Sequence, residues 1–210
     1  INAIDSGAAA AAAGVLAVLT AADYAADGLG PIKHVSVPLD AMDAKKPAFT
    51  GRDGFEIFDQ PQPVLASGTV RHGGEPVALV VAGTAAQARD GAELVAVDYQ
   101  PLAAVAHVAA ALAPAAPQLW QAVPGNLCLD AELGDKAATD AAFATARHVV
   151  ELTVVNNRIV NAQMEPRAAV AEVQADGRHV LYTGSQGVRR HAAMLAAMFG
   201  LASGQVRVLS

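Results

Sequence analysis

The sequence predicts a mixed α/β chain of the α+β class, and three features carry that reading. Apolar runs of strand length recur along the 210 residues, at Val15–Leu19, Pro76–Ala82 and Gln205–Leu209. Helix-start signals stand between them, with Thr20 and Thr84 each placed just before a run of good helix formers. Asp176-Gly177 divides two further apolar runs, and an Asp-Gly pair supplies the positive φ that a tight hairpin turn requires.

Taken in order, Val15–Leu19 reads as a short buried strand, and Thr20 caps a brief helix over Ala21–Ala26 that Gly28, Gly30 and Pro31 stop. Residues 31–63 hold five prolines and little periodicity, so a long loop with at most isolated strands is expected. Pro76–Ala82 is the next strand. Thr84-Ala-Ala-Gln87 then opens a helix towards Leu94 as a capping-box candidate, and Val95–Tyr99 resumes strand character, which together make an α/β unit. Ala103–Pro117 is rich in alanine and proline and reads as a linker. Beyond it, Asn126–Glu132 is expected as an alternating strand, Thr139–Phe143 as a helix start and His148–Val155 as another strand. Ala168–Val173 and Arg178–Tyr182 form the hairpin around Asp176-Gly177. A helix from about Val188 to Phe199, closed by Gly200, precedes the final strand Gln205–Leu209. That strand has nothing after it to cover its edge, and the start is equally abrupt, so a segment of a longer polypeptide is expected.

Composition narrows the function. Lys and Arg number 14 against 20 Asp and Glu, a net charge of −6, which argues against a phosphate-backbone binder. The chain is 53% hydrophobic and 16% charged, a balance for burial rather than disorder. Much of that hydrophobicity is small, because 50 residues are alanine and only 4% are aromatic. A core of Ala and Val buries less area per residue than one of Leu and Phe, so the chain is expected to need neighbours. The single cysteine, Cys128, excludes an internal disulfide, a Cys-based zinc site and an iron–sulfur cluster held by this chain alone. No apolar stretch approaches the roughly 20 residues that span a bilayer. The alanine run from Ala8 to Ala13 lacks a preceding basic segment and makes a poor signal peptide.

No nucleophile elbow, Walker loop, zinc-protease helix or dinucleotide fingerprint is present. The six histidines, at 34, 72, 107, 148, 179 and 191, show no ligand spacing. Gly73-Gly-Glu-Pro-Val77 reads first as a turn before a strand, and Glu165 of Met164-Glu-Pro-Arg167 first as a solvated or capping carboxylate. Tyr182-Thr-Gly-Ser-Gln-Gly-Val188 is more informative. There a strand runs through small residues into a helix and leaves Gln186 near the helix start, where free N–H groups favour an anionic or oxo-bearing ligand; a plain helix cap is the competing reading. Arg189-Arg-His191 adds positive charge in the first turn, unfavourable for the helix itself; it suits an anionic cofactor or a partner subunit, and more simply a solvated face.

The segments Gln62-Pro-Val-Leu65, Val70-Arg-His-Gly-Gly-Glu-Pro-Val-Ala78, Ala88-Arg-Asp-Gly-Ala-Glu-Leu-Val95, Val97-Asp-Tyr-Gln-Pro-Leu102, Met164-Glu-Pro-Arg167 and Tyr182-Thr-Gly-Ser-Gln186 occur in this order. Together they resemble the molybdopterin-binding large subunit of the molybdenum hydroxylases, the family of xanthine dehydrogenase, aldehyde oxidase and aerobic carbon monoxide dehydrogenase. Met-Glu-Pro-Arg and Thr-Gly-Ser-Gln are most similar to the bacterial carbon monoxide dehydrogenase type. The resemblance implies an α/β hammerhead domain over residues 1–110, N-terminally incomplete, a linker over 111–125, and the beginning of a molybdopterin-binding α+β domain over 126–210. It also implies that Gln186 matches the glutamine whose amide hydrogen-bonds an oxo ligand of molybdenum, which is tuning of a metal by a neighbouring group.

The chemistry so implied is oxidation of a carbon centre, of the aldehyde, N-heterocycle or carbon monoxide class, with oxygen derived from water. The implied cofactor is molybdenum–molybdopterin in its cytosine dinucleotide form, with iron–sulfur clusters and FAD on partner subunits or domains. Implied partners are the remainder of the large subunit, an iron–sulfur small subunit, an FAD-binding medium subunit and a small-molecule substrate. Nucleic acid is not among them, and the location is cytoplasmic. No residue matches the family's catalytic glutamate or its glycine-rich cofactor segment. No catalytic or metal-ligating residue is therefore assigned, Glu75 and Glu165 included, and the 210 residues alone are expected to be inactive. A non-catalytic α/β interaction module related to these domains is the alternative.

Overall fold

The computed structural model describes residues 1–32, 52–55, 58, 62–130, 132, 134–157, 159–160 and 162–210. Most of the proline-rich stretch 31–63, with His34, lies outside them. Within that stretch, a bridge pairs Ile32 with Gln62 and a 3-10 turn covers Arg52–Gly54.

The N-terminal half is built from two small antiparallel sheets. Strand β1 (Ala3–Asp5) leads into the single-turn helix α1 (Gly7–Ala10), which takes up the start of the alanine run. Strand β2 (Val15–Thr20) passes directly into helix α2 (Ala21–Ala26), because Asp23 accepts hydrogen bonds from both the Thr20 N–H and the Thr20 hydroxyl, each at 2.7 Å. Strand β3 (Ala78–Ala82) pairs with β2, and helix α3 (Ala85–Glu93) follows, with the Thr84 hydroxyl accepting from the Gln87 N–H at 3.3 Å. Strand β4 (Ala96–Asp98) then returns to β1. The strand–helix–strand order over residues 76–99 is therefore no parallel unit. Each strand has its partner earlier in the chain, and α3 crosses from one sheet to the other.

Gly91 explains how closely α3 lies on β2 and β3. A Cβ there would stand 2.8 Å from Val15 Cγ2 and 3.1 Å from Val80 Cγ1, so only glycine lets the helix reach the sheet.

Past the short helix α4 (Val108–Ala111), the expectations for the second half hold less evenly. Helix α5 (Lys136–Thr145) begins three residues before Thr139, because the Asp135 carboxylate caps it by accepting from Ala138 N–H at 2.8 Å. Asn126–Glu132 forms no strand among the described residues. Asn126 ends a 3-10 turn, and Cys128 and Asp130 only accept single backbone bonds, from Phe58 at 3.0 Å and Arg52 at 2.8 Å. His148–Val155 is likewise no strand, since alternation along a chain does not supply the neighbour a ladder needs.

A three-stranded sheet closes the chain. Strands β5 (Ala169–Val173) and β6 (His179–Thr183) form the hairpin, with Gly177 at φ +81° in its turn. Helix α6 (Val188–Met198) then carries the chain across to β7 (Val206–Leu209), which lies parallel to β6. Among the described residues this is the one parallel crossover. Its packing centre is small and aliphatic, with Val180, Ala196, Val206 and Val208 buried.

Candidate functional site

Three chain segments meet at one end of the β5–β6–β7 sheet. Parallel strands β6 and β7 both finish there, and β5 begins there, because Ala169 pairs with Thr183 and Tyr182 with Leu209. Met164-Glu-Pro-Arg167 leads into β5, and the Thr183 hydroxyl donates to the Ala168 carbonyl at 2.9 Å. The antiparallel register thus places that motif next to Gly184-Ser-Gln186, the exit of β6. The carboxyl ends of parallel strands, where a loop turns into a helix, are the usual ligand position in such arrangements.

The β6–α6 loop is held from within. The Ser185 N–H donates to the Ser210 hydroxyl oxygen at 3.0 Å, and the Gly187 N–H donates to the Ser185 hydroxyl oxygen at 3.2 Å. Gln186 lies between these anchors, exposed, one residue before the glycine that precedes α6. Among the described residues nothing hydrogen-bonds its side chain, whereas Ser185 beside it is engaged. A Cβ on Gly184 would meet nothing within 4 Å, so the space beside the loop is open. The arrangement sets a neutral amide two residues before a helix whose first-turn N–H groups lack intrahelical partners. Such a set fits an oxygen-bearing or anionic group and brings no charge of its own.

The other candidates separate cleanly. Glu75 is a turn carboxylate, because its Oε2 accepts from the Arg71 N–H at 2.6 Å. Glu165 is exposed at the entrance to β5. Arg189 and Arg190 are exposed on α6, and His191 is half-buried. Cys128 is exposed, its thiol 3.9 Å from the Asn126 carbonyl. Among the described residues no group of three or more His, Cys, Asp or Glu is placed to hold a metal ion. Four residues upstream of Gln186, Tyr182 donates to the Glu172 carboxylate at 3.2 Å, and that bond, with the carboxylate's charge, holds the phenol above its ordinary range. Sequence reasoning did not find the convergence of Ser210 and Met164–Arg167 on this loop, since strand register is what produces it.

Comparison with known proteins assigns both halves. Residues 119–210 match the model of the molybdopterin cofactor-binding domain, and residues 31–103 that of the aldehyde oxidase and xanthine dehydrogenase a/b hammerhead domain. The γ subunit of the 6-hydroxypseudooxynicotine dehydrogenase complex of Paenarthrobacter nicotinovorans is 33% identical over 72% of this chain and 19% of its own length. The carbon monoxide dehydrogenase large chain of Afipia carboxidovorans is 32% identical over 82% of this chain and 20% of its own. In a solved structure of reconstituted CO dehydrogenase from Oligotropha carboxidovorans, a region covering 100% of this chain and 25% of that one superposes with a TM-score of 0.78 at 28% identity. The chain thus spans about a fifth of the length of these curated relatives.

Proposed function

The chain belongs to the molybdopterin-binding large subunits of the molybdenum hydroxylases, and from that premise we propose that it supplies Gln186 to the shell of a molybdenum–molybdopterin cofactor. The observation that carries this reading is the unengaged Gln186 amide on a loop braced by Ser185 and Ser210, inside the stretch that matches the cofactor-binding domain. When bound, the cofactor supplies the redox centre at which a carbon substrate gains oxygen from water and gives up two electrons. Gln186 donates a hydrogen bond towards it without adding charge, and the bracing hydroxyls keep that donor in place.

The proposal extends to the intact enzyme. Its substrate is a carbon centre of the aldehyde, N-heterocycle or carbon monoxide class, and the cofactor is the cytosine dinucleotide form. Electrons leave through iron–sulfur clusters and FAD on partner subunits or domains, because a cluster needs about four thiolates and these 210 residues have one cysteine. A cytoplasmic location completes the proposal. Residues 1–110 are assigned to the hammerhead domain, 111–125 to a linker and 126–210 to the start of the cofactor-binding domain. The two family matches support this division by leaving 104–118 between them, although the second begins inside the assigned linker.

Gln186→Ala in the intact enzyme tests the assignment. Turnover is expected to fall about 10–100-fold, with molybdenum content retained and the molybdenum electron-spin resonance signal altered. Full turnover with an unaltered signal would remove Gln186 from the cofactor shell. The 210 residues alone are expected to retain no molybdenum after purification, and metal analysis that finds one molybdenum per chain contradicts this.

A further inference from the structure

Every described residue from Glu132 to His179 is exposed, although the stretch is rich in large aliphatic side chains. Its centre is His148–Val155, where Val150, Leu152 and Val154 are 90%, 81% and 77% exposed. In an extended chain these three share one face, with Glu151 and Thr153 on the other. This is the side-chain pattern of a strand with one face towards a core, in a segment that has neither a ladder partner nor a core among the described residues. A soluble molecule rarely leaves such an apolar stripe and its backbone groups uncovered.

The missing area is large. The chain exposes 15973 Å², whereas a compact protein of 21.3 kDa exposes about 9,100 Å². A second copy docking through an ordinary patch would hide only about 800 Å² per partner. The same backbone course, however, is found within a chain of which it makes up 25%.

We propose that His148–Val155 is a strand of a sheet completed by polypeptide of the same large subunit outside these 210 residues, with the Val150–Leu152–Val154 face packed on that polypeptide's apolar side chains. The inference rests on the family reading above and adds to it a particular surface and its occupant.

Hydrogen exchange on the 210-residue chain and on the intact large subunit that carries it tests this. Amides of 149–155 should exchange at nearly unprotected rates in the short chain and at least about 100-fold more slowly in the intact subunit, while the β5–β6 ladder is protected in both. Fast exchange in both would overturn the proposal. So would protection that rises with concentration of the short chain alongside a discrete dimer in light scattering, because the occupant would then be a second copy. Leu152→Asp should leave the melting temperature of the short chain unchanged and lower that of the intact subunit; equal lowering in both counts against the proposal. Molybdenum content separates the two readings. Metal bound with 149–155 unprotected sinks this inference alone, and protection without metal sinks the family-based one alone.

Discussion

Asn126 does at one position what a longer stretch of chain would otherwise do. Its Oδ1 accepts from the Leu119 N–H at 2.9 Å, and its Nδ2 donates to the Ala111 and Pro117 carbonyls, each at 3.0 Å. One side chain thereby ties together the segment between the two matched domains. Its backbone is left-handed, at φ +57°, where asparagine is among the few side chains tolerated. Substitution therefore separates two contributions. Asn126→Gly loses the three hydrogen bonds but keeps the backbone, whereas Asn126→Ala loses the bonds and adds about 1 kcal/mol of left-handed strain. Urea denaturation should find Ala about 1 kcal/mol worse than Gly, with both below the wild type; equal midpoints for the two variants would mean that φ does not matter there. The same comparison sorts the site candidates: the Glu75 carboxylate is used by its own turn, and the Gln186 amide is not.

At the scale of elements, local signals decided what could be read in advance. Helix α2 was legible from Thr20 as its cap and from Gly28, Gly30 and Pro31 as its stop, and α3, α6 and the Asp176-Gly177 hairpin from local signals of the same kind; the part Asp23 plays in the cap was not read. Asp23 also carries a pH dependence. Its carboxylate accepts from the Thr20 hydroxyl and then from the Thr20 N–H, which together hold its pKa below the ordinary aspartate value. A lowered folded-state pKa means that this contribution is present above the ordinary value near pH 4 and is lost as pH falls through the lowered one. Stability measured from pH 6 down to pH 2 should decline in part through Asp23, and Asp23→Asn should flatten that acid limb; an identical slope in the variant would contradict the assignment. What could not be read was non-local. Strand β1 has only three residues and exists because β4 pairs with it, while Asn126–Glu132 and His148–Val155 alternate like strands but find no ladder among the described residues. The site divides the same way. Gln186 was legible from a strand running into a helix and from the family resemblance, but its meeting with Met164–Arg167 and Ser210 depends on register.

Among the described residues, few contacts join the two halves of the molecule. These include Gly30 N–H to the Met198 carbonyl at 2.8 Å, Phe58 N–H to the Cys128 carbonyl at 3.0 Å, Arg52 N–H to the Asp130 carbonyl at 2.8 Å, the Arg52–Asp130 ion pair at 2.7 Å, and the group around Trp120. In that last group the Arg71 guanidinium lies 3.7 Å from the Trp120 ring centre and donates to the Leu119 carbonyl at 3.3 Å, while the Phe58 ring is 5.5 Å away. A cation–π contact at such a place contributes about 0.5–2 kcal/mol and an exposed ion pair at most about 1 kcal/mol. The buried apolar residues described are Ala9, Leu65 and Ala66 in one half, Val180, Ala196, Val206 and Val208 in the other, and Val123 alone beside Trp120 at the junction. Polar junctions this thin part before the units they join. Trp120 is the only tryptophan, so its fluorescence reports the junction and nothing else. In urea the fluorescence change should come at lower concentration than the loss of far-ultraviolet circular dichroism. Arg71→Ala should move the fluorescence midpoint further down and leave the dichroism midpoint in place. If both signals instead move together in the wild type and the variant, the halves unfold as one unit and the junction is stronger than its contacts account for.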